Sequence, residues 1–263
     1  MSASDTKLLA GKTAVVTGAS RGIGRAIALT FAKAGADLAV VAQSPEKLAA
    51  VASEIEAEGV RCHQGFGDLS DSAATEKVCS GIVDALGSVD ILVNNAGIHP
   101  DYGVSFADGD PDVWWRTIEV NIRGVYLVTR RLLDSINEGG KVINMSSGMG
   151  LTPAPNQSSY VVSKAGLNIL TEVLANELWP RKIDVNNLIP GPVATEMFNW
   201  EGRTTSHTTE QVLEKFEQEL PPLFPPQERM KHPNEVADMA LYLATRPVGG
   251  PTGQTYSLAR RPL

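Results

Sequence analysis

Cysteine is scarce in this 263-residue chain: only Cys62 and Cys79 occur, without a CxxC spacing. A disulfide scaffold needs more cysteines in a shorter chain. Both therefore read as reduced thiols of a cytoplasmic protein. No run approaches the ~18 apolar residues of a membrane span. Residues 1–12 lack the apolar centre of a signal peptide, so no export is expected. Positive charge is also short: 23 Lys and Arg face 30 Asp and Glu, a net charge of −7. That balance argues against nucleic acid or an anionic membrane as a partner. The four histidines, His63, His99, His207 and His232, have no metal-ligand spacing, so no metal is expected. His99 follows Gly97 and so could approach a substrate, but it reads first as an exposed loop residue. No internal repeat or low-complexity linker divides the chain.

What is present is enough apolar material for a large core. Hydrophobic residues make up 43% of the chain and charged residues 20%, which excludes disorder over most of its length. Single α/β domains of ~250 residues are routine, and one domain over residues 1–263 is expected. Short apolar runs alternate with helix-period segments. Strands are expected at Thr13–Val16, Asp37–Ala42, Val60–Phe66, Asp90–Val93, Lys141–Met145, Ile183–Leu188 and Gln254–Leu258. Helices are expected at Gly22–Ala34, Glu46–Glu58, Ser72–Leu86, around Pro111–Asn137, at Ser158–Leu178, at Thr209–Leu220 with Thr208 or Thr209 as cap, and at Asn234–Ala244. This alternation predicts an α/β fold: one doubly wound parallel sheet of Rossmann type with helices on both faces. The stretch at 193–232 breaks the pattern and reads as a lid over a substrate pocket after strand six.

Four constellations carry chemistry. Thr17, Gly18, Ala19, Ser20, Arg21, Gly22, Ile23 and Gly24 join the first strand to the first helix as GxxxGxG. Glycines there allow a tight turn and close approach of backbone to a ligand. The following helix N-terminus offers N–H groups to a pyrophosphate. Asn94, Asn95, Ala96 and Gly97 follow strand four at the edge where such sheets bind ligands; the same residues also make ordinary turns. Tyr160 and Lys164 are spaced i, i+4 and so share one helix face. An ammonium beside a phenol, whose usual pKa is ~10, favours the phenolate and makes the pair an acid/base couple. A YxxxK by itself is most often a surface pair. Its context is Ser147, thirteen positions upstream at the end of strand five, with a hydroxyl able to bond a substrate oxygen. Asn121 stands mid-helix, where an amide is not needed. Pro190, Gly191, Pro192, Val193, Ala194 and Thr195 end strand six on the same edge.

Together these residues resemble the short-chain dehydrogenase/reductases, from Lys12 to about Ser257. The turn matches TGxxxGxG, Asn94–Gly97 matches NNAG, and Pro190–Thr195 matches PGxVxT. Asn121, Ser147, Tyr160 and Lys164 match the family's tetrad. The resemblance implies an NAD(P)-dependent oxidoreductase moving a hydride between nicotinamide and a secondary alcohol or ketone. Tyr160 would be the general acid/base, Lys164 would hold the nicotinamide ribose and lower the Tyr160 pKa, Ser147 would polarise the carbonyl, and Asn121 would anchor a relay water. Cofactor contacts would come from Gly18, Ser20, Arg21, Gly22, Ile23, Gly24, Ser44, Asp68, Leu69, Asn95, Ala96, Gly97, Tyr160, Lys164, Pro190, Gly191, Val193 and Thr195. Asp68 resembles the acid that meets the adenine amine.

NADP is favoured over NAD. An acid at the end of the second strand would bind the ribose 2′-hydroxyl, and that position is Gln43. Arg21 and Ser44 could hold a 2′-phosphate by charge and hydroxyl contacts. From Phe198 to Lys231 the lid has six glutamates against four lysines and arginines. That charge argues against an acidic carrier protein as substrate. Met197, Phe198, Trp200 and Phe224 either line a pocket or hold the lid down. Trp114 and Trp115 read as helix-packing residues. A 3-oxoacyl thioester reductase and a non-catalytic dinucleotide-binding regulator remain the alternatives. A homo-oligomer, favoured as a tetramer, is expected, with Leu167, Leu170, Leu174 and Leu178 as an interface or core stripe. The tail departs from the family's usual ending, and Arg260 and Arg261 could reach a neighbouring subunit.

Overall fold

The computed structural model describes residues 7–198, 208–217, 220, 224 and 228–259. Trp200, His207, Arg260 and Arg261 lie outside them. Seven parallel strands form one sheet: β1 Thr13–Thr17, β2 Asp37–Ala42, β3 Cys62–Phe66, β4 Val89–Asn94, β5 Ile136–Met145, β6 Asp184–Ile189 and β7 Thr255–Ser257. Their order is β3-β2-β1-β4-β5-β6-β7. The order reverses between β1 and β4, and the crevice beyond the carboxyl ends at such a point is where open α/β sheets take ligands.

The helices are α1 Gly22–Lys33, α2 Pro45–Glu56, α3 Ser72–Leu86, α4 Pro111–Ile118, α5 Gly124–Leu132, α6 Ser158–Leu178, α7 Thr209–Lys215 and α8 Pro233–Ala244. They cover both faces, because successive strand residues point to opposite sides. On one face Val16 and Val40 pack with Ile27 and Phe31 of α1, Leu48 of α2 and Ala240 of α8. On the other, Val15 and Val41 pack with Ile82 of α3, Val128 of α5 and Leu178 of α6. Leu167 is buried and Leu174 packs against the second cluster, so these leucines of the α6 stripe serve the core.

Two boundaries differ from expectation by a full five residues. The helical stretch ends at Ser135, and β5 already begins at Ile136. Gly139, at φ +79°, and Gly140 hide this start by interrupting the apolar run, while a register shift between Val89 and Ile91 absorbs the irregularity. Helix α7 stops at Lys215 rather than Leu220. Thr208 is its N-cap, in a reciprocal capping box with Gln211. Phe198, Phe216 and Phe224 pack with Val212, Leu220 and Met230 into a small cluster of their own. Phe198 and Phe224 thus hold the 193–232 segment together, whereas Met197 is exposed. Trp114 packs α4 on α6 by donating to Ser158 Oγ at 3.0 Å, while Trp115 is exposed. Among the described residues, no helix is long and apolar enough to cross a membrane.

Candidate active site

The glycine turn and the Asn94–Gly97 segment meet at the β1/β4 crevice through one hydroxyl. Thr17 Oγ1 donates to Val93 O at 3.3 Å and accepts from Asn95 N at 2.9 Å and Ala96 N at 3.0 Å. Asn95 Nδ2 returns to Thr17 O and Gly18 O. A side chain is excluded at the turn: Gly18 has φ +66°, and a Cβ on Gly24 would lie 2.3 Å from Gly18 O. No side chain caps α1 at Arg21. An uncapped helix N-terminus behind a glycine turn suits a pyrophosphate, so this part of the chain fits a dinucleotide. Ile23 packs against the core and fixes the first turn of α1. A Cβ on Gly22 would sit 3.2 Å from Thr195 Cγ2. The segment after β6 therefore closes directly against the glycine turn. Gly191 turns the chain out of Pro190 at φ +70°, and Val193 bridges Lys231.

Asp68 is fixed by Ser70, whose N and Oγ donate at 3.0 and 2.7 Å, and by Arg116. Burial alone would raise its pKa, but these hydrogen bonds and the guanidinium charge hold it below the usual carboxylate range. Asp68 is therefore an ionised acceptor already shared with Arg116. Leu69 lies beside it, and its carbonyl accepts from Thr75 Oγ1. Ser44 is the N-cap of α2 without a side-chain cap bond. Arg21 pairs with Glu196, a partner no local signal announces.

Asn121 lies on a π-helical turn, Glu119–Arg123, between α4 and α5. Such turns concentrate at functional sites. Its Oδ1 accepts from Ile98 N at 2.8 Å, and its Nδ2 donates to Ile98 O at 2.9 Å and Ser163 Oγ at 3.0 Å. The buried amide is thus spent on pinning the loop after Gly97. A few residues on, Asp101 pins the same loop to the start of α6 by accepting from Ser159 N and Oγ at 3.2 and 2.6 Å. Between these two anchors the His99 ring lies 4.0 Å from the Tyr160 ring at 16°. Tyr102 meets His99 edge-on. His99 is therefore not an exposed loop residue; its place on Tyr160 comes from contacts across 61 residues that no local pattern encodes.

Tyr160 and Lys164 share the inner face of α6, with Lys164 Nζ 5.7 Å from the phenol ring centroid. Ser147 is near enough to the Tyr160 side chain to lower its pKa, and its Oγ accepts from Met149 N at 3.2 Å. Lys164 Nζ donates to Met145 O at 2.7 Å. Burial pushes the Tyr160 pKa up and Ser147 offsets only part of this. The expected lowering by Lys164 does not prevail in this geometry, where burial of the phenol dominates; burial also pushes Lys164 down to about 8. The site thus holds a protonated phenol beside a hydroxyl, with a lysine behind it. Gly97 abuts both Asn121 Oδ1 and Lys164 Nζ, which brings the Asn94–Gly97 segment to the same point.

Comparison with known proteins agrees with this layout. The short chain dehydrogenase family model matches residues 12–205. A short chain dehydrogenase of Pseudocercospora fijiensis is 39% identical over 81% of this chain and 69% of its own length. A 3-oxoacyl-acyl-carrier-protein reductase of Aquifex aeolicus is 35% identical over 94% of this chain and 95% of its own. The solved structure of a Burkholderia cenocepacia short chain dehydrogenase in complex with NADP covers 95% of this chain and 96% of its own at 32% identity, with a TM-score of 0.81. The chain belongs to the short-chain dehydrogenase/reductase family and is a nicotinamide-dinucleotide-dependent oxidoreductase acting on small molecules.

Proposed function

We propose that this protein is an NADP-dependent reductase of ketones, with Tyr160 as its general acid. The observation that carries the reading is the placement of the phenol: Lys164 Nζ lies 5.7 Å from its ring on the same helix face, and burial raises its pKa, so it stays protonated beside Ser147. A protonated phenol is what carbonyl reduction requires, since the developing alkoxide takes its proton in the transition state. Ser147 orients and polarises the carbonyl oxygen. Lys164 uses one of its three donors on Met145 O and keeps the others for the nicotinamide ribose. When bound, the nicotinamide would supply the hydride. The glycine turn, Asn95–Gly97 and Pro190–Thr195 would hold the dinucleotide by backbone donors, which matters in a chain of net charge −7.

NADP rather than NAD is supported by Gln43 in place of an acid and by the NADP complex of the Burkholderia relative. The substrate is a small or mid-sized ketone or secondary alcohol, and the working form is a cytoplasmic single-domain protein with a lid at 193–232. A second reading, reduction of a 3-oxoacyl thioester, is supported by the similarity to the Aquifex reductase. A homotetramer is supported by a second stripe on α6: Val162, Ile169 and Val173 are exposed at helical spacing, and an exposed apolar face marks an interface. Steady-state assays with a ketone panel and a 3-oxoacyl thioester, each with NADPH and NADH, test the reading. Tyr160→Phe is expected to lower kcat by about 10²–10⁴-fold while NADPH still binds. Turnover unchanged in Tyr160→Phe overturns it.

A further inference from the structure

Two cations from different elements converge on one carboxylate. Arg21, in the glycine turn, bonds Glu196 Oε2, and Lys47, in the first turn of α2, lies 3.8 Å from Glu196 Oε1. Glu196 directly follows Thr195 and opens the short turn Glu196–Phe198 at the start of the 193–232 segment. The cluster therefore spans the mouth of the β1/β4 crevice, from α2 to the root of the lid. Arg21, Lys47 and Glu196 are 59%, 56% and 38% exposed. Exposed ion pairs of this kind are worth only ~0–1 kcal/mol, so the carboxylate is a displaceable partner. A phosphate monoester near pH 7 carries close to two charges and three acceptor oxygens. It therefore outcompetes one carboxylate for a pair of cations.

We propose that Lys47 is a second cation of the cofactor's 2′-phosphate site, beside Arg21 and the uncommitted hydroxyl of Ser44, and that Glu196 competes with that phosphate for both. The site takes over the task of the basic residue missing at Gln43. Binding of the 2′-phosphate breaks the links of both cations to Glu196. The inference rests on the NADP reading above.

Fluorescence titration of the full chain with NADPH and NADH tests it. Wild type is expected to bind NADPH more tightly than NADH. Lys47→Gln is expected to weaken NADPH about tenfold, the size of one charge-assisted hydrogen bond, and to leave NADH unchanged. Glu196→Gln is expected to tighten NADPH alone. If wild type prefers NADH, the NADP reading falls and this inference with it. If wild type prefers NADPH but Lys47→Gln binds both nucleotides like wild type, or Glu196→Gln leaves NADPH unchanged, the inference falls and the NADP reading stands. Both substitutions are at exposed positions, and an unchanged circular dichroism spectrum separates a binding effect from misfolding.

Discussion

The imidazole of His99 lies nearly parallel to the phenol of Tyr160, 4.0 Å away. Because Asn121 holds Ile98 and Asp101 holds Ser159, the ring is clamped from both sides along the chain. One face of Tyr160 is therefore covered, and the substrate carbonyl must reach the hydroxyl past its edge, beside Ser147. The stack fixes the direction in which the proton is offered.

His99→Ala is therefore expected to lower kcat by about three- to tenfold, the size of a stacked aromatic pair. Cofactor affinity should stay unchanged, and His99→Phe should restore most of the rate. Steady-state kinetics with NADPH titrations check this. A Phe variant as slow as the Ala variant would show that the imidazole acts through its nitrogens instead.

Asn121→Ala strips partners from Ile98 N, Ile98 O and Ser163 Oγ at once. Orphaned buried groups cost ~1–3 kcal/mol each, so a loss of a few kcal/mol in urea unfolding is expected. Ser163→Ala removes only one of these partners and should cost less. Equal losses in the two variants would mean that the Ile98 bonds contribute nothing.

Lys164 gives stability a definite pH dependence. Its folded pKa is about 8 against 10.5 for the free side chain. Below 8 both states are charged, and the cost of burying the ammonium is present in full. Between 8 and 10.5 the unfolded chain holds a proton that the folded chain has released, so this residue's contribution rises with pH. Relative to Lys164→Met, the wild type should gain up to about 1.4 kcal/mol per pH unit across that window. Urea unfolding of both proteins at pH 7, 8, 9 and 10 measures the gap; a constant gap refutes the burial argument.

The strand–helix alternation was legible because it is local. Ile23, Ile27 and Phe31 recur at helical spacing, and Val15 and Val16 need only a buried environment. Where glycine breaks the run, as at Gly139 and Gly140, the start of β5 disappeared from view. The Leu167–Leu178 stripe was legible as apolar, yet its orientation was not. Both a core and an interface accept leucine, and only the packing of α6 on β5 and β6 chose the core.

The sequence by itself determined the sheet, the glycine turn and the pairing of Tyr160 with Lys164, since short apolar runs, glycine turns and i, i+4 spacing are properties of neighbouring residues. The tertiary structure decided what depends on distant ones. It set His99 on Tyr160 and joined Arg21 and Lys47 through Glu196. It also reversed the expected direction of the Tyr160 pKa. That reversal has a simple cause: proximity of a cation is readable from spacing, but desolvation is set by everything that packs around the site.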